Sequence, residues 1–322
     1  MDGERCFERS RHNGSMSERM KIGVQLPEVE WVARWPQLRE MVLTAEEIGL
    51  DSIWVGDHLL YRDDGLPARG PWESWTTLAA IAAVTERVQI GPLVAATSFH
   101  NPAMLAKKAA TLDEISGGRL ILGLGAGWNE AEYGAYGFPF DHRVSRFEEA
   151  FTIIRSLLRD GRCDFHGTYY DLQDCELLPR GPRHPHGEGP PLMVGSMGER
   201  MLSITLPHVQ AWNAWFSWFG NTVEGYRPLR DAVDASCRAA GRDPAEVERT
   251  VALLVGFPGA KGRSIGDLKV PDVVPIPGDA ATLATTLRAF AAEGVGHVQL
   301  VLDPIGVETI AALAPALAEL RA

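Results

Sequence analysis

The chain has 322 residues, of which 45% are hydrophobic and 23% are charged, and its formal net charge is −11. This composition is ordinary for a globular protein with a substantial core, and the acidic balance argues against a nucleic-acid backbone as the main partner. No run approaches the roughly 18 apolar residues of a membrane span, so we expect no membrane partner. The four cysteines form no C-x-x-C pair and no metal-ligand spacing, which predicts a reduced, cytoplasmic setting.

The first 20 residues are polar and lack the apolar region of a signal peptide. We expect residues 1–20 to be a disordered extension and residues 21–322 to form one domain. A single α/β barrel fits this length, since such barrels commonly need about 250 residues.

From residue 21 onward, short strand-like apolar runs alternate with helical patterns. Asn101 and Pro102 are typical of a helix start, and Gly117 of its end. Two junctions, EEIGLDSIWV and AAEGVGHVQLVL, repeat the order helix, glycine, buried strand. This repetition predicts an α/β fold, a single (β/α)8 TIM barrel of parallel strands. We expect the strands at residues 21–27, 52–55, 88–96, around 120–122, 192–194, 210–214, 250–257 and 297–302, and a closing helix at 307–320.

Residues 163–191 depart from this alternation and predict an insertion before the fifth strand, part of it a hairpin. The proline-rich part of this insertion contains His184 and His186. Two histidines in such a loop are usually solvated, so we expect no metal site.

The glycine-rich stretch RLILGLGAGWNEAEYGAYG begins with an uncharged run and then passes through Gly123, Gly125 and Gly127. Closely spaced glycines at a strand end let a ligand lie directly against the backbone. The stretch is therefore interpreted as the floor of a cofactor site. A buried glycine-rich strand with a turn is the alternative, and the G-x-G-x-G spacing fits a Rossmann motif poorly.

Asp57 and His58 directly follow the second predicted strand. Titratable groups in that position lie at the C-terminal end of a barrel strand, where α/β barrels hold their chemistry. The irregular segment 61–75 comes next and is either a substrate lid or solvated loop. From position alone, His58 could equally be a structural histidine.

With the strand ends assembled, the chain from Lys21 resembles the bacterial luciferase-like oxidoreductases, which are TIM barrels that bind FMN or the deazaflavin coenzyme F420. The resemblance rests on the motifs DSIWVGDH, SFHNPAMLAKKAATLDEISGGRLILGLGAGWNEAEYGAYG, RVSRFEEA and PLMVGSMGERML. Their details are closer to the F420-dependent branch.

The resemblance implies roles for individual residues. His58, with Asp57, matches the catalytic acid–base pair beside the reactive ring, work that suits an imidazole. The end of the third strand matches a bulge that supports the ring, often with a cis non-prolyl bond. Met197 departs from the usual glycine-rich phosphate loop after the fifth strand. The implied cofactor-binding residues are Leu93, Val94, Ala95, Gly127, Trp128, Asn129, Tyr133, Gly195, Ser196, Met197 and Gly198.

The implied function is an F420-dependent oxidoreductase that transfers a hydride between coenzyme and a small organic substrate. The alternative is an FMN-dependent monooxygenase that receives reduced flavin from a partner reductase. A non-catalytic protein that sequesters a flavin-like ligand is a third hypothesis. The resemblance also implies a homodimer.

Overall fold

The computed structural model describes residues 19–62, 65–185, 187–261 and 273–322. The strands are β1 (Lys21–Gln25), β2 (Ser52–Val55), β3 (Gln89–Pro92), β4 (Ala95–Ala96), β5 (Leu122–Gly125), β6 (Arg162–His166), β7 (Asp171–Glu176), β8 (Arg183–His184), β9 (Gly187–Glu188), β10 (Leu192–Gly195), β11 (Ala211–Ala214), β12 (Glu248–Gly256), β13 (Ile276–Pro277) and β14 (Val295–Asp303). The α-helices are α1 (Trp35–Glu47), α2 (Ser74–Val84), α3 (Pro102–Ser116), α4 (Glu130–Tyr136), α5 (Arg143–Asp160), α6 (Glu199–Thr205), α7 (Val223–Ala239), α8 (Ala280–Ala292), α9 (Val307–Ala311) and α10 (Ala314–Arg321).

The main sheet is parallel and runs in the order β3-β2-β1-β14-β12-β11-β10-β5-β4. β3 and β4 are two parts of one strand, so the sheet has eight barrel positions. Its two ends meet through Ile90, whose N–H donates to the Arg119 carbonyl (3.0 Å) and whose carbonyl accepts from the Ile121 N–H (2.8 Å). The sheet therefore nearly closes into a barrel, which confirms the predicted TIM-barrel fold.

Apolar residues on both faces of the strands make the core. β12 and β14 are buried almost from end to end, as expected for parallel strands covered by helices. The helices contribute stripes at helical spacing, for example Leu38, Met41 and Ala45 on α1. Full burial of one such large apolar side chain stabilises the fold by roughly 1.5–3 kcal/mol. Among the residues that the structure describes, no helix is both long and apolar enough to span a bilayer.

Local signals set the helix ends. The Asn101 side chain accepts hydrogen bonds from the N–H groups of Ala103 (3.0 Å) and Met104 (3.2 Å), and Gly117 ends α3 with φ of 66°. The prediction of one closing helix at 307–320 is wrong, because α9 and α10 are separate. Pro315 lies in the first turn of α10 and has no N–H, so it cannot continue the hydrogen bonding of α9.

The insertion before β10 contains the antiparallel hairpin β6–β7. The expectation that His184 is solvated is wrong: its side chain is 7% exposed, and its Nε2 lies 2.6 Å from Oδ2 of the fully buried Asp113. The chain after the hairpin folds back over α3 and gives this buried carboxylate a partner. His186 and residues 1–18 of the predicted extension lie outside the described residues.

Candidate active site

A cavity of about 340 Å³ lies at the C-terminal ends of the barrel strands. Of the residues implied by the resemblance, those that line it are Asp57, His58, Leu93, Val94, Gly127, Trp128, Gly195, Ser196 and Met197. The other lining residues are Gln25, Glu28, Tyr61, Ala96, Gly125, Ala126, Glu132, Met201, Asn213, Trp215, Ser217 and Trp218. Four further residues implied by the resemblance do not line the cavity: Ala95, Asn129 and Tyr133 are buried, and Gly198 is exposed.

The floor of the cavity is built around Val94. The Leu93–Val94 peptide bond is cis, the arrangement that the resemblance implied at the end of the third strand. The Val94 methyl groups occupy space beside two glycines, since a Cβ at Gly125 would lie 2.8 Å from Cγ2 and one at Gly195 3.2 Å from Cγ1. The glycines thus let three strand ends converge on one side chain.

His58 is held over the cavity by a buried carboxylate. Its Nδ1 lies 2.8 Å from Oε1 of Glu132, a residue of α4 that is fully buried. The other oxygen of Glu132 accepts from the N–H groups of Leu59 (2.8 Å) and Leu60 (3.3 Å). Because a carboxylate only accepts, Nδ1 carries a proton and Nε2 is the ring nitrogen available for chemistry.

A second carboxylate lies on the opposite side of the imidazole. Oε1 of Glu28 is 3.6 Å from Nε2 of His58, and it accepts from the Tyr61 hydroxyl at 2.7 Å. Gln25 Nε2 donates to the other oxygen at 3.3 Å. A Cβ at Gly56 would lie 2.9 Å from the Glu28 carboxyl group, so the glycine lets Glu28 approach.

Burial lowers the pKa of His58, but the negative charges of Glu28 and Glu132 outweigh it and raise the pKa above its ordinary value. The imidazole therefore holds its proton more strongly than a free histidine. This favours a proton-donating role near neutral pH.

Asp57 is a buried carboxylate that holds neighbouring segments of the site together through hydrogen bonds. It is 3% exposed and accepts from the Ser74 hydroxyl (2.5 Å) and the Ala96 N–H (3.0 Å), while His100 Nε2 lies 3.0 Å away. Burial raises the pKa of Asp57, but the hydrogen bonds outweigh this effect and hold the pKa below its usual value. The hydrogen bond from His100 has the largest effect of them. Its carboxylate fixes the end of β2 against β4 and α2.

Asn129 and Tyr133 support the wall of the cavity. Asn129 Nδ2 donates to the Leu60 carbonyl (2.9 Å), and the fully buried Tyr133 hydroxyl donates to the Ala126 carbonyl (2.9 Å). Burial raises the pKa of Tyr133 to about 12, so the phenol stays neutral.

The turn after β10 joins the cavity at its rim. The Ser196 carbonyl accepts from the Trp212 ring N–H at 2.7 Å, and Ser196 Oγ accepts from the Gly198 N–H at 3.3 Å. Glu199 lies in the first turn of α6, which weakens the attraction of that helix end for an anion. Arg200 pairs with Glu148 at 2.7 Å.

Three polar residues of the cavity were not predicted from the sequence: Glu28, Glu132 and Gln25. Glu132 lies inside the glycine-rich motif, four residues after Trp128, and this was the one signal that could have identified it. Glu28 directly follows the predicted first strand, residues 21–27, so the strand-end position that identified Asp57 and His58 also applies to it.

Known proteins share this architecture. The luciferase-like monooxygenase family matches residues 11–256. An F420-dependent glucose-6-phosphate dehydrogenase from Amycolatopsis mediterranei is 32% identical over 245 residues, which cover 74% of this chain and 69% of that protein. The pyrimidine monooxygenase RutA from Cronobacter sakazakii is 35% identical over 176 residues, 53% of this chain and half (50%) of that protein.

Among solved structures, an F420-dependent secondary alcohol dehydrogenase in complex with an F420-acetone adduct has the same fold, with a TM-score of 0.76. It is 20% identical, and the match covers 94% of this chain and 100% of that one. The fold match and the family match agree. The chain belongs to the luciferase-like monooxygenase family.

Proposed function

We propose that this protein is an F420-dependent oxidoreductase that transfers a hydride between the coenzyme and a small organic substrate. The proposal rests on His58, which lines the same cavity as Val94 and whose Nδ1 lies 2.8 Å from Oε1 of the buried Glu132. The 32% identity with a protein named as an F420-dependent dehydrogenase supports the choice of coenzyme.

The residues present fit a flat heterocyclic coenzyme. The glycines beside Val94 leave backbone, without Cβ atoms, around the floor, and Trp128 supplies an aromatic wall. Leu93, Val94 and Ala95 would support the ring, with Gly127 and Trp128 at its edge and Asn129 and Tyr133 behind them. Gly195, Ser196, Met197 and Gly198 would take the phosphate through N–H groups. The coenzyme, when bound, supplies the hydride chemistry.

The protein's own groups orient the reactants and move a proton. His58 holds or donates a proton at Nε2, while Glu132 fixes the ring and its tautomer. Asp57 keeps its charge and positions the strand end that carries His58. Trp128, Trp215 and Tyr61 line the cavity and exclude water from the reacting groups.

An FMN-dependent monooxygenase is the second candidate. The 35% identity with the pyrimidine monooxygenase supports it, although that match covers 53% of this chain. Such an enzyme would receive reduced flavin from a partner reductase. We also propose that the protein is a cytoplasmic homodimer, and light scattering checks the dimer.

Turnover without dioxygen tests the function. Purified protein is assayed anaerobically with oxidised or reduced F420 and a panel of alcohols, activated alkenes and imines. We expect coenzyme turnover, and His58→Ala should lower kcat by roughly 100-fold with coenzyme affinity within a few-fold of wild type. Activity that requires both FMN and dioxygen would instead support the monooxygenase, and unchanged turnover in the variant would assign His58 to structure.

A further inference from the structure

We propose that Cys163 and Cys175 form a reversible redox site, in which a peroxide oxidises the two thiols to a disulfide that fastens the base of the β6–β7 hairpin. A dithiol reductant returns the pair to its free thiols. Within the described residues, the cavity lining includes no member of β6 or β7, so this site is independent of the coenzyme and of the reaction proposed above.

The hairpin places the two cysteines directly opposite each other. In the antiparallel ladder, Cys163 of β6 pairs with Cys175 of β7. Side chains at opposed positions leave the same face of a ladder, and the Cα atoms of such a pair are about 4.5–5.5 Å apart. A disulfide commonly joins residues whose Cα atoms are about 4.4–6.8 Å apart. Both cysteines are free thiols, so they are reduced partners already at bridging distance.

Hydrogen bonds fix the hairpin at both of its ends. At the base, the Leu177 N–H donates to the Gly161 carbonyl at 2.8 Å. At the turn, the Glu149 carboxylate of α5 accepts from the N–H groups of Thr168 (2.7 Å) and Tyr169 (2.9 Å). The two thiols therefore stay close together without any rearrangement of the chain path. This closeness favours their reaction with each other over reaction with a separate molecule.

The two thiols differ in their access to solvent. Cys175 is partly exposed, whereas Cys163 is 7% exposed. Burial raises the pKa of the Cys163 thiol, and the neighbouring Cys175 adds to this effect. Because the thiolate is the nucleophile, Cys163 is the poorer first target of an oxidant. Cys175 is thus the thiol that a peroxide in solution meets first, and Cys163 is the thiol that closes the disulfide.

The reaction is a two-electron oxidation with a peroxide as the oxidant. The Cys175 thiolate attacks one peroxide oxygen, the O–O bond breaks, and a sulfenic acid forms. The proton released by the Cys175 thiol converts the departing hydroxide to water. The Cys163 sulfur then loses its proton and attacks the Cys175 sulfur, the S–O bond breaks, and hydroxide leaves with that proton as water. Two thiols are oxidised, and one hydrogen peroxide is reduced to two waters.

Paired strands favour a disulfide that is easily reduced. Opposed Cβ atoms lie about 4.5–5.5 Å apart in a ladder, whereas a disulfide prefers roughly 3.5–4.5 Å. The bond therefore draws the two strands together, and strained disulfides are the readily reduced ones. Oxidation restrains the hairpin and, because the cavity lining lies elsewhere, leaves coenzyme binding unchanged.

Peptide mapping of the full chain tests the site. Reduced protein is treated with hydrogen peroxide, the remaining thiols are alkylated, and an unreduced digest is analysed by mass spectrometry. We expect a cross-linked peptide that contains Cys163 and Cys175, a protein mass lower by about 2 Da, and recovery of both thiols with dithiothreitol. Cys237, which is buried in α7, is the internal control and should stay free.

A variant and a dynamic measurement test the two steps separately. Cys163→Ser should stop at the Cys175 sulfenic acid, which dimedone labels, because the second thiol is absent. In the oxidised wild type, hydrogen exchange of the hairpin amides should slow by at least about threefold. The Kd for F420 should change by less than about twofold on oxidation.

Two free thiols at these positions after peroxide treatment would overturn the proposal, as would disulfides that contain Cys6 or Cys237 in place of this pair. Unchanged amide exchange in the oxidised protein would overturn the restraint of the hairpin. Mapping of the wild type decides the pairing even if Cys163→Ser does not fold.

Discussion

At the scale of single residues, the environment of His58 is made by groups distant from it in the chain. Glu28 precedes it by 30 residues and Glu132 follows it by 74. The Glu28 carboxylate lies 3.6 Å from Nε2 of His58, and the Glu132 carboxylate lies 2.8 Å from Nδ1. Removal of either charge would lower the pKa of His58, because each stabilises the protonated ring.

His297 shows the opposite environment. It is 1% exposed inside the barrel, its Nε2 lies 2.6 Å from the Ser52 hydroxyl, and its ring packs 5.7 Å from Trp54. Burial, helped by the positive charge of Lys21, lowers the pKa of His297 to about 3 from 6.5. The folded protein therefore holds this histidine neutral.

The low pKa of His297 predicts acid sensitivity. Between pH 6.5 and about 3 the unfolded chain binds a proton at this residue and the folded chain does not, so stability falls as pH falls. Between pH 7 and pH 5 the loss should be about 2 kcal/mol. Urea unfolding of wild type and His297→Gln at both pH values measures it. Between pH 7 and pH 5, His297→Gln should lose about 2 kcal/mol less stability than wild type. Equal losses in the two proteins would contradict a low pKa for His297.

At the scale of elements, the turn between β5 and α4 connects the floor to the wall of the cavity. Gly127 has φ of 75°, and a Cβ there would lie 1.9 Å from the Tyr133 hydroxyl oxygen. That hydroxyl is itself fixed to the Ala126 carbonyl at 2.9 Å. The turn is therefore compatible with glycine alone at this position.

Gly127→Ala should lower the free energy of unfolding by about 1–3 kcal/mol, because it adds backbone strain and a steric clash. Gly134→Ala in the same segment is the matched control, since a Cβ at Gly134 meets nothing within 4 Å. That helical substitution should be neutral or stabilising by up to about 1 kcal/mol. Urea denaturation compares the two variants, and similar effects would show that the turn tolerates a side chain.

At the scale of the whole molecule, the barrel was predictable because its signals are local. Apolar runs predicted the strands, and Asn101 and Gly117 predicted the ends of α3. The break between α9 and α10 also had a local signal, Pro315, which the apolar periodicity of that segment obscured. Capping and periodicity depend on neighbours within a few residues.

Contacts between distant segments were not predictable in this way. His184 meets Asp113 across 71 residues of sequence, and its proline-rich surroundings suggested a solvated side chain. Glu28 and His58 are 30 residues apart in the chain, and the pairing of the consecutive strands β1 and β2 brings them together. Such pairs follow from topology, so residue types and spacing alone do not identify them.

F420 is the coenzyme that we propose for this barrel. The most direct measurement is a titration of the protein, purified from a host that lacks deazaflavin, with F420 and with FMN under identical conditions. We expect a colourless protein that binds F420 more tightly than FMN. Purification with stoichiometric FMN, or a lower Kd for FMN than for F420, would contradict it.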